Sequence, residues 1–322
     1  MRLIDLNDHT ASYLDASALT VGNFDGVHRG HAELFRQLKR DGDRLGLPAV
    51  AVTFDPHPLA VLSPEAAPPQ ITTFAQKALL IEEAGIDFLA RIQFTPEFSR
   101  CPAEMFIRSW LCGALGMRHL VVGHDYAFGK DRLGNFRMLA SISRDGGFTI
   151  DDIEPCGSGT DVFSSSLVRR RIALGDMPGA AEVLGRFHVI SGRVTHGRGL
   201  GAGFGFPTAN IVTDNELIPP DGVYAVIAAT GGSLYCGACN IGRNPTVDGS
   251  DRTIEIFLLD FSGHLYDAVM SVCFVERLRD EQRFPGVDAL VAAITDDVSR
   301  ARSVLAGIDR SRIKPLVTQR TG

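Results

Sequence analysis

Short apolar runs recur through the first half of the chain, from Leu19 to Gly22, Ala49 to Phe54, Phe88 to Phe94 and His119 to Gly123. Each run has the length of a strand and is separated from the next by enough chain to cross back over a sheet. Between the first two, Leu34, Phe35, Leu38 and Leu45 recur at helical spacing, which predicts a helix from His31 to Leu45 with Gly46 as its stop and Pro48 just beyond. Phe74 to Ala84 reads as a second helix ending at Gly85, and proline-rich SPEAAPPQ, Ser63 to Gln70, reads as a surface loop. Apolar strands alternating with helices are the pattern of strands buried on both faces, so the expected fold is an α/β domain with a Rossmann-like, doubly wound parallel sheet.

The pattern changes after Gly185. From His188 to Glu276 the chain reads strand, turn, strand: HVISGRV, PTANIV, GVYAVIAA, SLYCGACNI, RTIEIFLLD and AVMSVCFVE, punctuated by GRGLGAGFG, PPDG, TGG, VDGSD and FSGH. Six short strands with frequent turns predict a small antiparallel barrel or sandwich. An amphipathic segment, Asp288 to Leu305, is expected to close the chain as a helix packed across it. The expected organisation is therefore an α/β domain over 1–185 and a mostly-β domain with a terminal helix over 186–322, without internal repeats.

Composition narrows the function classes. The chain has 322 residues, 45% of them apolar and 22% charged, which is ordinary for a globular protein and long enough for two domains. With 32 Lys and Arg against 38 Asp and Glu, the net charge is -6, so the basic footprint of a nucleic-acid-binding protein is missing. A small phosphorylated substrate needs only a local positive site. The opening MRLIDLNDHTASYLD does not read as a signal peptide, lacking a charged start and a continuous apolar core, and no later run approaches the roughly 20 apolar residues of a membrane span. The expected location is the cytoplasm, away from membranes. Cysteines 101, 112, 156, 236, 239 and 273 read as free thiols, and Cys236 with Cys239 lacks the further ligands of a zinc site.

Candidate chemistry concentrates in GNFDGVHRGH, Gly22 to His31, which follows the first apolar run. A glycine-rich turn between strand and helix lets backbone amides approach a phosphate, and the helix directs about half a positive charge at it. His28 and His31 stand where that helix begins and can donate hydrogen bonds to a polyphosphate whose charge grows as a bond to phosphorus breaks. A turn held by local hydrogen bonds and an HxxH metal pair are the alternatives. The flanking strand and helix favour phosphate.

VHRGH resembles the HxGH signature of the nucleotidyltransferase superfamily, and the longer GNFDGVHRGH resembles the form carried by bacterial bifunctional riboflavin kinase/FAD synthetases. Further blocks agree with that family in order and spacing: TFDPHP (53–58), GHDYAFG (123–129), SSSLVR (164–169), GFPTANI (205–211), GVYAV (222–226), NIGRNPT (240–246), RTIEIFLLDF (252–261) and ERLRDEQRF (276–284). The resemblance implies a nucleotidyltransferase domain that adenylylates FMN with ATP to give FAD and pyrophosphate, and a riboflavin kinase barrel that makes FMN from riboflavin and ATP, both with Mg2+. It leaves a homo-oligomer open.

Residue by residue, the resemblance implies that Gly22, Asn23, Phe24, Gly26 and Gly30 shape the first ATP site and that His28 and His31 polarise the phosphates. Ser164, Ser165, Ser166 and Arg169 would hold the triphosphate from the other side, with Ser166 standing where the family usually has threonine. His57 and Asp125 would frame the FMN and nucleotide pockets, although Pro56 to Pro58 equally suits a strand-end turn. In the kinase, Gly199, Gly201 and Gly205 would form a flap over ATP, followed by Pro207, and Thr208 and Asn210 would hold Mg2+. Ala202 stands where many relatives carry a basic residue. Glu255 would be the general base for the riboflavin 5′-hydroxyl, on the strand face opposite Ile254, Ile256 and Leu258. Arg279 would order the flavin by ion pairing, or else belong to a surface charge cluster at a helix start. Other HxGH enzymes lack an explanation for PTAN with Glu255, whereas a flavin-binding module without activity would not need these side chains together.

Overall fold

A computed structural model describes residues 1–123, 129, 134, 136–159, 161–197, 203, 205–246 and 249–316. The chain divides into two compact units, one formed by Met1–Pro69 with Lys77–Phe163 and the other by Gln70–Gln76 with Ser164–Gly322.

The first unit is built on β1 (Arg2–Asp5), β2 (Ser17–Val21), α1 (Arg29–Leu45), β3 (Ala49–Asp55), α2 (Pro58–Leu62), α3 (Phe74–Glu83) and β4 (Phe88–Gln93). After it come α4 (Ala103–Met105), running into a π-helical stretch Phe106–Ala114, then β5 (Met117–Gly123), α5 (Phe136–Gly146), β6 (Thr149–Ile153) and the small hairpin of β7 (Gly157–Ser158) and β8 (Asp161–Val162). Six strands form one parallel sheet in the order β1-β4-β3-β2-β5-β6. The strand order reverses at β2, which lies between β3 and β5; in open α/β sheets ligands bind beyond the strand ends at such a point. All five residues of β2 are buried, as a strand covered on both faces requires. On one face Leu19, Val21, Val52, Ile92 and Leu120 pack with Phe106, Ile107, Trp110, Leu111 and Leu139.

Helix α1 buries Leu34, Phe35 and Leu38 as expected, but Leu45 is 42% exposed. The stripe is continued by Asp41 and Gly42, because Leu45 is the last helical residue before Gly46 turns the chain off in the left-handed region at φ 68°. The Ser63–Gln70 loop contains one tight turn, Pro64–Ala66. Strands β1 and β6 and helix α5 carry patterns too mixed or too short to stand out as apolar runs.

The second unit contains α6 (Ser165–Ala173), α7 (Met177–Leu184), β9 (His188–Thr195), β10 (Thr208–Thr213), β11 (Gly222–Thr230), β12 (Ser233–Thr246), β13 (Gly249–Leu258), β14 (Val269–Arg279) and α8 (Val287–Ala306). Its strands close into a barrel, β10-β13-β12-β11-β14-β9, so of the two expected architectures the barrel is the one formed. All pairings are antiparallel. Closure leaves no unpaired sheet edge, and alternate residues such as Ala209, Ile211, Ile254, Ile256 and Leu258 are buried. Helix α8 packs on β11, β12 and β14, which explains why β11 is buried along its whole length. Cys236 and Cys239 lie three apart on β12 and so face opposite ways, an arrangement unable to hold one ion between them.

Candidate active site

In the first unit, the segment after β2 is a tightly folded turn. Gly22 N–H still donates to Val52 O of β3, and Thr53 Oγ1 donates to Asn23 O, so the neighbouring strand fixes the start of the turn. Phe24, Gly26 and Val27 then take left-handed backbone angles, φ 48°, 79° and 41°. That conformation is strained for Phe24 and more so for branched Val27. The strain is held by burial: both side chains are in the core, and the Phe24 ring meets Phe35 at 4.9 Å and His31 at 5.3 Å. His28 ends the turn as the N-cap of α1, but its side chain makes no capping hydrogen bond and no acidic residue occupies the first helical turn. The His28 and His31 rings stack instead, with centroids 3.6 Å apart and planes 24° apart. Gly30 permits this, since a Cβ there would come within 3.1 Å of the His28 ring. Two imidazoles and the positive end of a seventeen-residue helix therefore converge beyond the end of β2.

His57 follows β3, the strand beside β2, and caps α2 by accepting a hydrogen bond at Nδ1 from Leu59 N–H, 3.2 Å. In the second unit, Ser164 caps α6 by accepting from Leu167 N–H at 3.2 Å, while Leu167, Val168 and Ile172 anchor that helix. Ser166 is exposed and Arg169 half-buried, whereas Arg171 is taken up by an ion pair with Asp176 at 3.0 Å.

The barrel carries a second site. Strand register places Asn210 of β10 opposite Glu255 of β13, and Asn240 of β12 on the other side of Glu255. Thr208, two residues before Asn210, shares its face, and Thr208 Oγ1 donates to Glu255 Oε2 across 3.5 Å. Thr208, Asn240 and Glu255 border a cavity of about 280 Å³ whose lining also includes Phe257, Arg279 and, from α8, Ile294. Its walls are mainly apolar, with Phe206 set edge-on to Phe257 at 5.4 Å. Arg279 is held at the wall by Asp297 of α8, with Nε 2.9 Å from Oδ1 and Nη2 2.7 Å from Oδ2. Behind Glu255, burial and then the carboxylate charge push the Cys239 thiol well above its ordinary range, so that sulfur stays protonated.

A family model described as FAD synthetase matches residues 10–167, and one described as riboflavin kinase matches residues 184–305. A bifunctional riboflavin kinase/FMN adenylyltransferase of Haemophilus influenzae is 35% identical over 94% of this chain and 99% of its own. The chain belongs to the bifunctional riboflavin kinase/FMN adenylyltransferase family. Relatives with the same description in Pseudomonas fluorescens and Escherichia coli K12 are 38% and 37% identical, each over 89% of this chain and 92% of their own. A solved structure described as a macrolide-efflux protein from Streptococcus pneumoniae superposes with a TM-score of 0.85 at 27% identity, over 94% of this chain and 99% of that one. Among the described residues here, no helix is long and apolar enough to cross a membrane.

Against the expectations for this family, the structure brings together Gly22, Asn23, Phe24, Gly26, His28, Gly30 and His31 in one turn, and Thr208, Glu255 and Arg279 around one cavity. Gly205, with φ 86°, and Pro207 lead into β10. Asp125, Gly199, Gly201 and Ala202 lie outside the described residues. Arg279 sits at the end of strand β14 in a buried ion pair, which corrects the alternative of a surface cluster at a helix start. Asn240, Ile294 and Asp297 were not singled out from the sequence; Asn240 carried a signal as the first residue of NIGRNPT, and Phe257 carried one by lying in RTIEIFLLDF on the face of Glu255.

Proposed function

We propose that the barrel phosphorylates riboflavin with ATP and that the α/β domain transfers AMP from a second ATP to the FMN so formed, giving FAD and pyrophosphate. The observation that carries this reading is the placement of Thr208 and Glu255 at the edge of an apolar cavity, with Asn210 paired to Glu255 on the adjoining strand. The functional division we propose is 1–185 for adenylyl transfer and 186–322 for the kinase; the FAD synthetase match ending at 167 and the riboflavin kinase match starting at 184 support it.

In the kinase step, the flat apolar ring of riboflavin suits the cavity walls, and its 5′-hydroxyl is directed to Glu255. The carboxylate takes the hydroxyl proton as that oxygen attacks the γ-phosphorus, and ADP leaves with the bridging electron pair. Thr208 Oγ1 and Asn210 Oδ1 are hard oxygen donors on one strand face, which suits Mg2+, and these two residues would hold it. Bound there, the ion would neutralise phosphate charge. Arg279, fixed by Asp297, orders the far side of the pocket.

In the adenylyl step the FMN phosphate attacks the α-phosphorus of ATP and pyrophosphate departs. His28, His31 and the first amides of α1 stabilise the charge that accumulates on the leaving group. Ser164, Ser165, Ser166 and Arg169 are assigned to the same triphosphate, with His57 and Asp125 at the flavin and nucleotide pockets. The -6 net charge agrees with cytoplasmic enzymes of small anions rather than of nucleic acid. Incubation with riboflavin, ATP and Mg2+, followed by chromatography, tests the reading: FMN and then FAD should accumulate, and FMN supplied with ATP and Mg2+ in place of riboflavin should give FAD without the kinase step. Flavin that stays unchanged would overturn it.

A further inference from the structure

Three ligand-bearing side chains meet in the first unit on the flank of the sheet: Asp41 of α1, His119 of β5 and Asp151 of β6. Asp41 occupies a position on the buried stripe of α1 that the helical period reserves for an apolar residue, and it is only 4% exposed. His119 is 1% exposed, and parallel register sets Thr149 beside it, so that Asp151, two residues on, projects to the same face. His119 Nδ1 lies 2.7 Å from Thr149 Oγ1. Its other nitrogen, Nε2, is buried without a hydrogen bond and points between Asp41 Oδ2 at 3.5 Å and Asp151 Oδ2 at 3.7 Å.

With Nδ1 engaged by Thr149 Oγ1, Nε2 is left facing two carboxylates, and a cation held between the three atoms would satisfy them together. A proton on Nε2 is too far from either oxygen for a good hydrogen bond. A tetrahedral ion with bonds of about 2.0–2.1 Å spaces its ligand atoms roughly 3.3 Å apart, near the distances found. All three ligand atoms lie within 4.8 Å of one another. We propose that Asp41, His119 and Asp151 form a binding site for a divalent transition-metal ion of the zinc class, separate from both nucleotide sites.

The supporting contacts fit a metal site. Asp41 is oriented by Gln37 Nε2 donating to Oδ2 at 2.7 Å and Arg44 Nη2 donating to Oδ1 at 2.9 Å, and His119 by Thr149, which are the roles that groups behind metal ligands play. The Asp151 side chain is 47% exposed and gives the ion a way in. One imidazole with two carboxylates favours zinc over magnesium, which prefers oxygen alone. The ion would tie edge strand β6 to α1 and β5.

The test uses full-length protein stripped with a chelator and titrated with ZnCl2 against a competing indicator, without nucleotide. Wild type should bind one equivalent more than Asp151→Asn, or bind it at least about tenfold tighter, and Mg2+ should not displace that equivalent. Asp151 is half-exposed, so this variant should fold, and it keeps every cysteine and His28 and His31, so other zinc-binding groups cancel in the comparison. Nitrogen NMR of His119 should show Nε2 shifting as zinc is added. Equal zinc uptake and affinity by the two proteins, or a His119 resonance indifferent to zinc, would overturn the site.

Discussion

Arg279 at the end of β14 and Asp297 in the middle of α8 are joined by a two-armed ion pair, and both are largely buried, at 17% and 5% side-chain exposure. This pair fixes α8 against the barrel and at the same time sets the position of a cationic wall of the barrel cavity. Replacing Asp297 by Ala leaves a buried guanidinium without its carboxylate, which typically costs about 3–5 kcal/mol. We expect a lower unfolding midpoint for the barrel and a riboflavin KM raised about tenfold, with FMN adenylylation little changed, measured by thermal unfolding and steady-state kinetics on each flavin.

Glu255→Gln keeps shape and the hydrogen bond from Thr208 while removing the proton acceptor. Riboflavin kinase kcat should fall roughly a hundred- to ten-thousand-fold, with FMN adenylylation and the unfolding midpoint unaltered. A kinase that retains most of its kcat in this variant would make the carboxylate a packing group rather than the base.

The reverse separation is expected at the other site. His28→Ala should lower adenylylation of supplied FMN by on the order of a hundred- to thousandfold and spare FMN formation from riboflavin. Gly30→Ala should act in the same direction, because its Cβ would press on the His28 ring from 3.1 Å. Separate assays of the two half-reactions would show whether either change crosses over to the kinase.

Acid should weaken the barrel through His188. This side chain is buried, with Nε2 donating to Leu217 O at 3.0 Å, and burial pushes its pKa down to about 4 from 6.5. The unfolded state therefore binds the proton first as pH falls. The stability that His188 contributes in neutral form is complete above pH 6.5, declines from there towards pH 4, and reaches a floor below it, a span worth about 3 kcal/mol. Hydrogen exchange of β9 and β14 amides between pH 7 and 4 should follow this slope, and His188→Gln should flatten it.

Much of this was legible in the chain before folding. Glycines and histidines packed between an apolar strand and a helical stripe pointed to the turn at Gly22–His31, and the alternation through Thr253–Leu258 put Glu255 on the face away from Ile254 and Ile256. What stayed hidden depends on pairings distant in sequence. Asp297 reads as one more polar residue on a surface helix until β14 supplies Arg279. Asp41 breaks the apolar stripe of α1 for no visible local reason, and its partners lie 78 and 110 residues further on. Leu45 matched the stripe by spacing alone, while the end of the helix placed it in solvent.

The ladder joining β10, β13 and β12 has an evolutionary consequence. Thr208, Glu255 and Asn240 line the cavity, and Asn210 shares their face, because their strands alternate in step. Inserting or deleting a single residue in either β10 or β13 would swing that strand's polar groups inward and its isoleucines outward at one stroke. Length changes should therefore be confined to the connecting turns, leaving the strands to evolve by substitution alone.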